Sequence, residues 1–177
     1  LTIQGLASKR GKGSSSYALQ ENGKICLFLG GAGGAGCSTV AMGCAAALAA
    51  QGRNTIYFSL KQKEENGQFR VSGSSLTDVM YEIGMWQQLG GTDQGQLQMK
   101  LQSMLRKDDE TGVYSFAPFD LPVSAMNFGP DDMQALLHAV GGLCERCVVC
   151  ADSYLSSTLL RGIRLADWVV VVSDSTS

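Results

Sequence analysis

Residues 30–39 read GGAGGAGCST, and within that string Gly31, Gly36 and Ser38 keep the G-x-x-x-x-G-x-S spacing of a phosphate-binding loop. The chemistry such a loop offers comes mostly from the main chain. The N–H groups of Gly33, Gly34, Ala35, Gly36, Cys37, Ser38 and Thr39, together with the start of a following helix, can surround an anion without help from side chains. Ser38 falls where a hydroxyl would coordinate magnesium. Position 37 is a cysteine, where a lysine would neutralise the β and γ phosphates and the charge that develops on transfer. A thiol does not supply that charge.

Gly31, Gly33 and Gly36 also satisfy G-x-G-x-x-G, so a dinucleotide site stands beside the first reading. Its discriminating position is the end of the next strand, where an acidic residue would hold a ribose hydroxyl and a basic one a 2′-phosphate. The chain has Ser59, Leu60 and Lys61 there, which disfavours NAD and leaves an NADP-binding oxidoreductase as a lesser alternative.

Other chemistry-bearing residues have plainer explanations. Cys144, Cys147 and Cys150 keep the C-x-x-C-x-x-C spacing of iron–sulfur ligands. Cys147 and Cys150 lie in the strand-like run CVVCA, however, and an odd separation sends their side chains to opposite faces. With Cys26 and Cys44 they read as buried thiols without disulfides. His138 sits beside Leu136 and Leu137 in a helical pattern with no nucleophile placed near it and reads as structural. Asp131 and Asp132 suit a helix N-terminus, and Asp108–Glu110 suit a loop.

The elements that must position the loop follow from hydropathy. ICLFL is a buried strand before it, and Thr39–Gln51 an alanine-rich helix after it, ending at Gly52. A second strand at Thr55–Leu60 completes the spacing of a βαβ crossover and hence of a parallel sheet. Ser75 and Asp78 cap a helix carrying Leu76, Val79, Met80 and Ile83 on one face. Leu97, Leu101, Met104 and Leu105 mark another helix, its stripe read as core rather than a partner face. Val113–Ala117 reads as a strand, Asp120–Phe128 as a loop, and Pro130 as a helix start. Cys147–Ala151 is a further strand, Ser153–Leu165 a helix and Trp168–Ser173 a fully buried valine strand. Alternating units of this kind predict an α/β three-layer sandwich with a mostly parallel, doubly wound sheet, P-loop NTPase-like or Rossmann-like.

Composition bounds the rest. The 177 residues suffice for one domain, read as residues 23–177 behind a Gly/Ser/Lys linker or tail at residues 1–22. A net charge of −2 and no large Lys/Arg cluster argue against a nucleic-acid partner. No apolar run reaches the roughly 18 residues of a membrane span, and Leu1–Gln20 lacks a signal-peptide pattern, so a cytoplasmic location is expected.

From Gly23 to Ser177 the chain resembles the MinD/ParA superfamily of deviant Walker A ATPases, and most of all its CpaE/TadZ branch of pilus-assembly proteins. The resemblance rests on GGAGCSTVA opening the first helix, ALAAQGRNTIYFSL leading into the second strand, and the terminal LADWVVVVSDSTS. It places the family's signature lysine at Ala32, its Walker lysine at Cys37 and its hydroxyl pair at Ser38 and Thr39. The family's water-positioning aspartate matches Ser59, and its later strand-end aspartate falls at Cys150 by ungapped counting or at Asp152 with a small shift. The resemblance implies ATP with magnesium as the cofactors, if nucleotide binds, with Ser38 and Asp152 facing the metal. The missing lysines and aspartate point to an ATPase-like fold with no catalytic residues and weak or no nucleotide binding. It implies a homodimer that localises pilus-assembly machinery at a cell pole, acting through partners at the inner face of the membrane. The enzymatic alternative is a slow ATPase that borrows Lys24, Lys61 or a partner residue. The family also continues beyond the last strand, so a further C-terminal part is expected.

Overall fold

The computed structural model describes residues 2–5, 24–31, 36–61, 74–120, 122–152, 154 and 156–173. Seven strands form one sheet: β1 (Thr2–Gly5), β2 (Lys24–Gly30), β3 (Thr55–Ser59), β4 (Arg106–Lys107), β5 (Tyr114–Ser115), β6 (Arg146–Ala151) and β7 (Trp168–Ser173). Their order across the sheet is β1-β7-β2-β6-β3-β5-β4. The inner five are mutually parallel, while β1 and β4 pair antiparallel at the two edges. The helices are α1 (Cys37–Ala50), α2 (Leu76–Gln88), α3 (Gln94–Met104), α4 (Pro122–Met126), α5 (Pro130–Gly141) and α6 (Ser157–Leu165).

Strand alternation sorts the core into two layers. Phe28, Tyr57, Val148, Cys150 and Val172 face α1, which brings Ala41 and Ala45 flush against the sheet. Ile25, Leu27, Ile56, Phe58, Cys147 and Val149 face the opposite layer, where α2, α3, α5 and α6 contribute Ile83, Leu101, Leu136 and Leu159. The three-layer, mostly parallel architecture read from the sequence is therefore present, with one helix on one face and four on the other. Leu97 and Leu101 are buried, so the α3 stripe is core. Ser75 and Asp78 make the reciprocal cap of α2.

Several boundaries differ from expectation. Thr2–Gly5, read as part of a tail, is an edge strand in register with Val170–Ser173. Residues 6–23 lie outside the described residues. Within the expected loop Asp120–Phe128 there is a short helix, α4, with Pro122 at its first position. Helix α6 starts at Ser157, because Ser156 accepts the N–H of Leu159 at 3.1 Å and caps it there. The valine strand is not fully buried: Trp168 is 42% and Val171 44% exposed. β7 lies one strand from the sheet edge, where helix cover on both faces is thin.

Candidate functional site

Because β2, β3, β6 and β7 run in parallel, their carboxyl ends share one edge of the sheet, and the connection from β2 leads into the N-terminus of α1 at that edge. The crossover β2–α1–β3 moves one way along the sheet and β6–α6–β7 the other, so this edge holds a topological switch point, where open α/β sheets place ligands.

Local geometry follows from the glycines. Gly31 donates its N–H to the Val172 carbonyl at 2.7 Å, tying the start of the loop to the tip of β7. A Cβ at Gly31 would lie 3.2 Å from the Ser173 Cβ, so a side chain is disfavoured there. Gly36 turns the chain into α1 at φ +73°, a left-handed conformation that suits glycine. It leaves α1 without a side-chain cap or an acidic residue in the first turn. Among the described residues nothing accepts the N–H groups of Cys37, Ser38 and Thr39, the donors that a helix start leaves without an internal partner. Together with the helix dipole they suit a phosphate.

Of the residues read as a phosphate cradle, Gly33, Gly34 and Ala35 lie outside the described residues, as does Ala32. Gly36 and Thr39 are exposed and Ser38 is half-buried. Cys37 is turned inward: it is 3% exposed, its Sγ 3.5 Å from the Sγ of Cys150. The Ser38 Oγ lies 3.7 Å from the same Cys150 sulfur. The side chain in the lysine's place thus packs against β6. Cys150 faces α1 in the sheet, while Cys147 lies on the other face, so the three spaced cysteines do not converge.

Among the described residues, charge at the site comes from Lys61 and Asp152. Lys61 follows the tip of β3 and donates its N–H to the Ser59 Oγ at 3.3 Å. Ser59 is register partner to Cys150. The hydrogen bond from Cys37 holds the Cys150 thiol below the ordinary range against the effect of burial, with the Lys61 charge and Ser38 assisting. Cys37 is pushed up, first by that same bond and then by burial. Asp152, exposed just past β6, acts on both sulfurs in the upward direction, which puts its carboxylate on this edge. Lys24 is at the other edge, its Nζ 5.2 Å from the centre of the Trp168 ring. It cannot serve the loop. Sequence reasoning treated Cys150 as core and missed it as the residue that receives Cys37 and Ser38. The available signal was the alternation in CVVCA, which puts Cys150 on the α1 face.

No protein-family model and no curated protein sequence matches the chain. Among solved structures, the chain is similar to a ParA family ATPase from Chlorobium tepidum TLS at 13% identity and TM-score 0.65, covering 82% of this chain and 58% of that one. It is similar to the kinase domain of Escherichia coli tyrosine kinase ETK at 14% identity and TM-score 0.65, covering 92% and 59%. A third similar structure is the septum site-determining protein MinD complexed with Mg-ADP from Pyrococcus horikoshii OT3, at 16% identity and TM-score 0.57, covering 85% and 57%. The chain spans less than three fifths of the length of each of these three proteins. No helix among the described residues is long and apolar enough to cross a membrane. At these identities the likeness is one of fold: the chain has the α/β fold of the ParA- and MinD-type P-loop ATPases.

Proposed function

We propose that this chain is a catalytically degenerate ATPase-like protein that serves as a localisation or scaffold component in Tad-type pilus assembly. The observation that carries the degenerate reading is the inward Cys37, its sulfur 3.5 Å from Cys150, in the place where a lysine would reach the phosphates. Ser59 adds to it, since a hydroxyl engaged by the Lys61 N–H stands where the family's aspartate would. Phosphoryl transfer depends mostly on charge stabilisation and positioning, and these departures remove parts of both. The pilus role is supported by the resemblance of GGAGCSTVA and LADWVVVVSDSTS to the CpaE/TadZ branch, and with it come a homodimer and partners at the inner face of the membrane.

The backbone N–H groups of Cys37, Ser38 and Thr39 suit the anionic part of a nucleotide, and Ser38 with Asp152 would face its magnesium. Bound magnesium would offset phosphate charge there. The chain's own donors would hold and orient the phosphates.

Calorimetry with ATP and magnesium, paired with a turnover assay against Ser38→Ala, tests this reading. Weak or absent heat and no turnover above the variant are expected. Turnover clearly above Ser38→Ala overturns it, and binding of NADPH in a parallel titration replaces it with the oxidoreductase reading. For the cellular role, a tagged copy should co-purify with pilus-assembly proteins and sit at a pole.

A second reading is favoured by one observation. Lys61 lies close enough to the Cys37–Cys150 pair for its charge to act on both, and no carboxylate pairs with it among the described residues. In that reading Lys61 supplies the cation the loop lacks, and the protein is a slow ATPase.

A further inference from the structure

The sulfurs of Cys37 and Cys150 are 3.5 Å apart, 113 residues apart in the chain, and join the first residue of α1 to the central strand β6. We infer that this pair is an oxidation site, in which a peroxide converts two thiols at the mouth of the loop into a reversible disulfide between Cys37 and Cys150. The inference does not depend on whether nucleotide binds.

Three features set this pair apart from the other cysteines. The first is contact: the two sulfurs lie 3.5 Å apart although 113 residues separate them in the chain. The second is polarity. The Ser38 hydroxyl lies 3.7 Å from the Cys150 sulfur and Cys37 opens α1, so polar groups stand beside the pair. Cys147 and Cys144, by contrast, are buried in the apolar core on the far face of the sheet. The third is depth. Cys37 and Cys150 are covered, while Gly36, Thr39 and Asp152, one or two residues from them in the chain, are exposed.

The step balances with a peroxide as oxidant. The Cys150 sulfur attacks one peroxide oxygen, an S–O bond forms, the O–O bond breaks, and the departing hydroxide takes the thiol proton as water. The Cys37 sulfur then attacks the Cys150 sulfenic sulfur, the S–S bond forms, and the sulfenic hydroxyl leaves with the Cys37 proton as a second water. Two electrons pass from the sulfurs to the peroxide. A thiol reductant reverses the bond. Closure draws the sulfurs from 3.5 Å to about 2.05 Å. This pulls the first turn of α1 toward β6 and so alters the N–H cradle above it.

The test is treatment of the folded protein with hydrogen peroxide, and separately with diamide, followed by blocking of free thiols, proteolysis and mass spectrometry. The expected result is loss of two of the six thiols with a Cys37–Cys150 cross-linked peptide, restored by dithiothreitol. Cys37→Ala should give no cross-link and leave a Cys150 sulfenic acid that dimedone traps. If that variant does not fold, the wild-type peptide map decides alone. Six unchanged thiols, over-oxidation of either sulfur without a cross-link, or a cross-link confined to Cys144–Cys147 or Cys26–Cys44 overturns the inference.

Discussion

Ser59 and Cys150 stand opposite one another at the tips of the parallel strands β3 and β6, and the Leu60 N–H donates to the Cys150 carbonyl at 2.8 Å. This pairing sets Leu60 and Lys61 at the tip of β6, on the edge of the sheet that holds the start of α1. Lys24, at the amino end of β2 against Trp168, has no such path. Any affinity the protein retains for ATP or pyrophosphate should therefore fall about tenfold, about 1.4 kcal/mol, in Lys61→Gln. Lys24→Gln should leave it unchanged. Titration of both variants at low and high salt checks this, and equal losses would remove Lys61 from the site.

Ser75 couples the start of α2 to Asp120, in the segment that follows β5. Its Oγ accepts the Asp78 N–H at 3.2 Å and donates to the Asp120 carboxylate at 2.6 Å, while 3% of the residue is exposed. Ser75→Ala removes a cap and leaves part of this network without its partner. A loss of about 1–2 kcal/mol in urea unfolding is expected. No change would mean that water replaces the hydroxyl.

Much of this fold is legible in the sequence because its signals are local. The apolar run at Ile25–Leu29, the glycines after it and the Ser75–Asp78 cap each act within a few residues. β1 is not legible in that way. Thr2–Gly5 is short and without apolar alternation, and only pairing with Val170–Ser173, far along the chain, makes it a strand. β4 consists of Arg106 and Lys107, a charged pair that hydropathy reads as loop. At the site, the residue types in the loop are plain, but the direction of the Cys37 side chain is set by Cys150, 113 residues away. A pattern can put Cys150 on the α1 face of the sheet; the meeting of the two sulfurs depends on how α1 packs against it.

The two exposed glycines of the first unit should respond to alanine with opposite signs. Gly36 has φ +73° and no atom of the described residues within 4 Å of its missing Cβ, so the cost of Gly36→Ala is that of forcing a left-handed backbone on an L residue, about 1–2 kcal/mol. Gly36→Asn should cost less. Gly43 lies in the middle of α1, also with nothing near its missing Cβ, and Gly43→Ala should stabilise by about 0.5–1 kcal/mol. Unfolding midpoints of the three variants give the comparison; loss in both alanine variants would contradict it.

Alkaline pH should weaken the fold through its thiols. Burial, then the neighbouring Cys44 and Asp167, push Cys26 from 9.0 up to about 12. Between those values the folded chain keeps a proton that the unfolded chain releases. The stability tied to that proton is complete below about pH 9 and is lost as pH rises toward about 12. Cys37 and Cys147 are raised as well and act in the same direction, whereas Cys150 is lowered and opposes them. Urea midpoints should fall between about pH 8 and about pH 10.5, less steeply in Cys26→Ala. A profile of equal slope in that variant would show that Cys26 is not the group responsible.

Cys37→Lys tests the loop directly. An ammonium cannot stay in the buried slot against Cys150, so the lysine must turn outward along the start of α1, with its stem on the surface and its charge in water or on an anion. Vacating the slot and placing a cation at a helix N-terminus should together cost about 1–2 kcal/mol of stability. If the backbone from Gly36 to Thr39 cradles phosphate, the new charge should raise affinity for ATP with magnesium at least about tenfold, and less so at high salt. Destabilisation without any gain in affinity would mean that the loop no longer presents its N–H groups to an anion, and that its part in the protein is to shape the surface above β6.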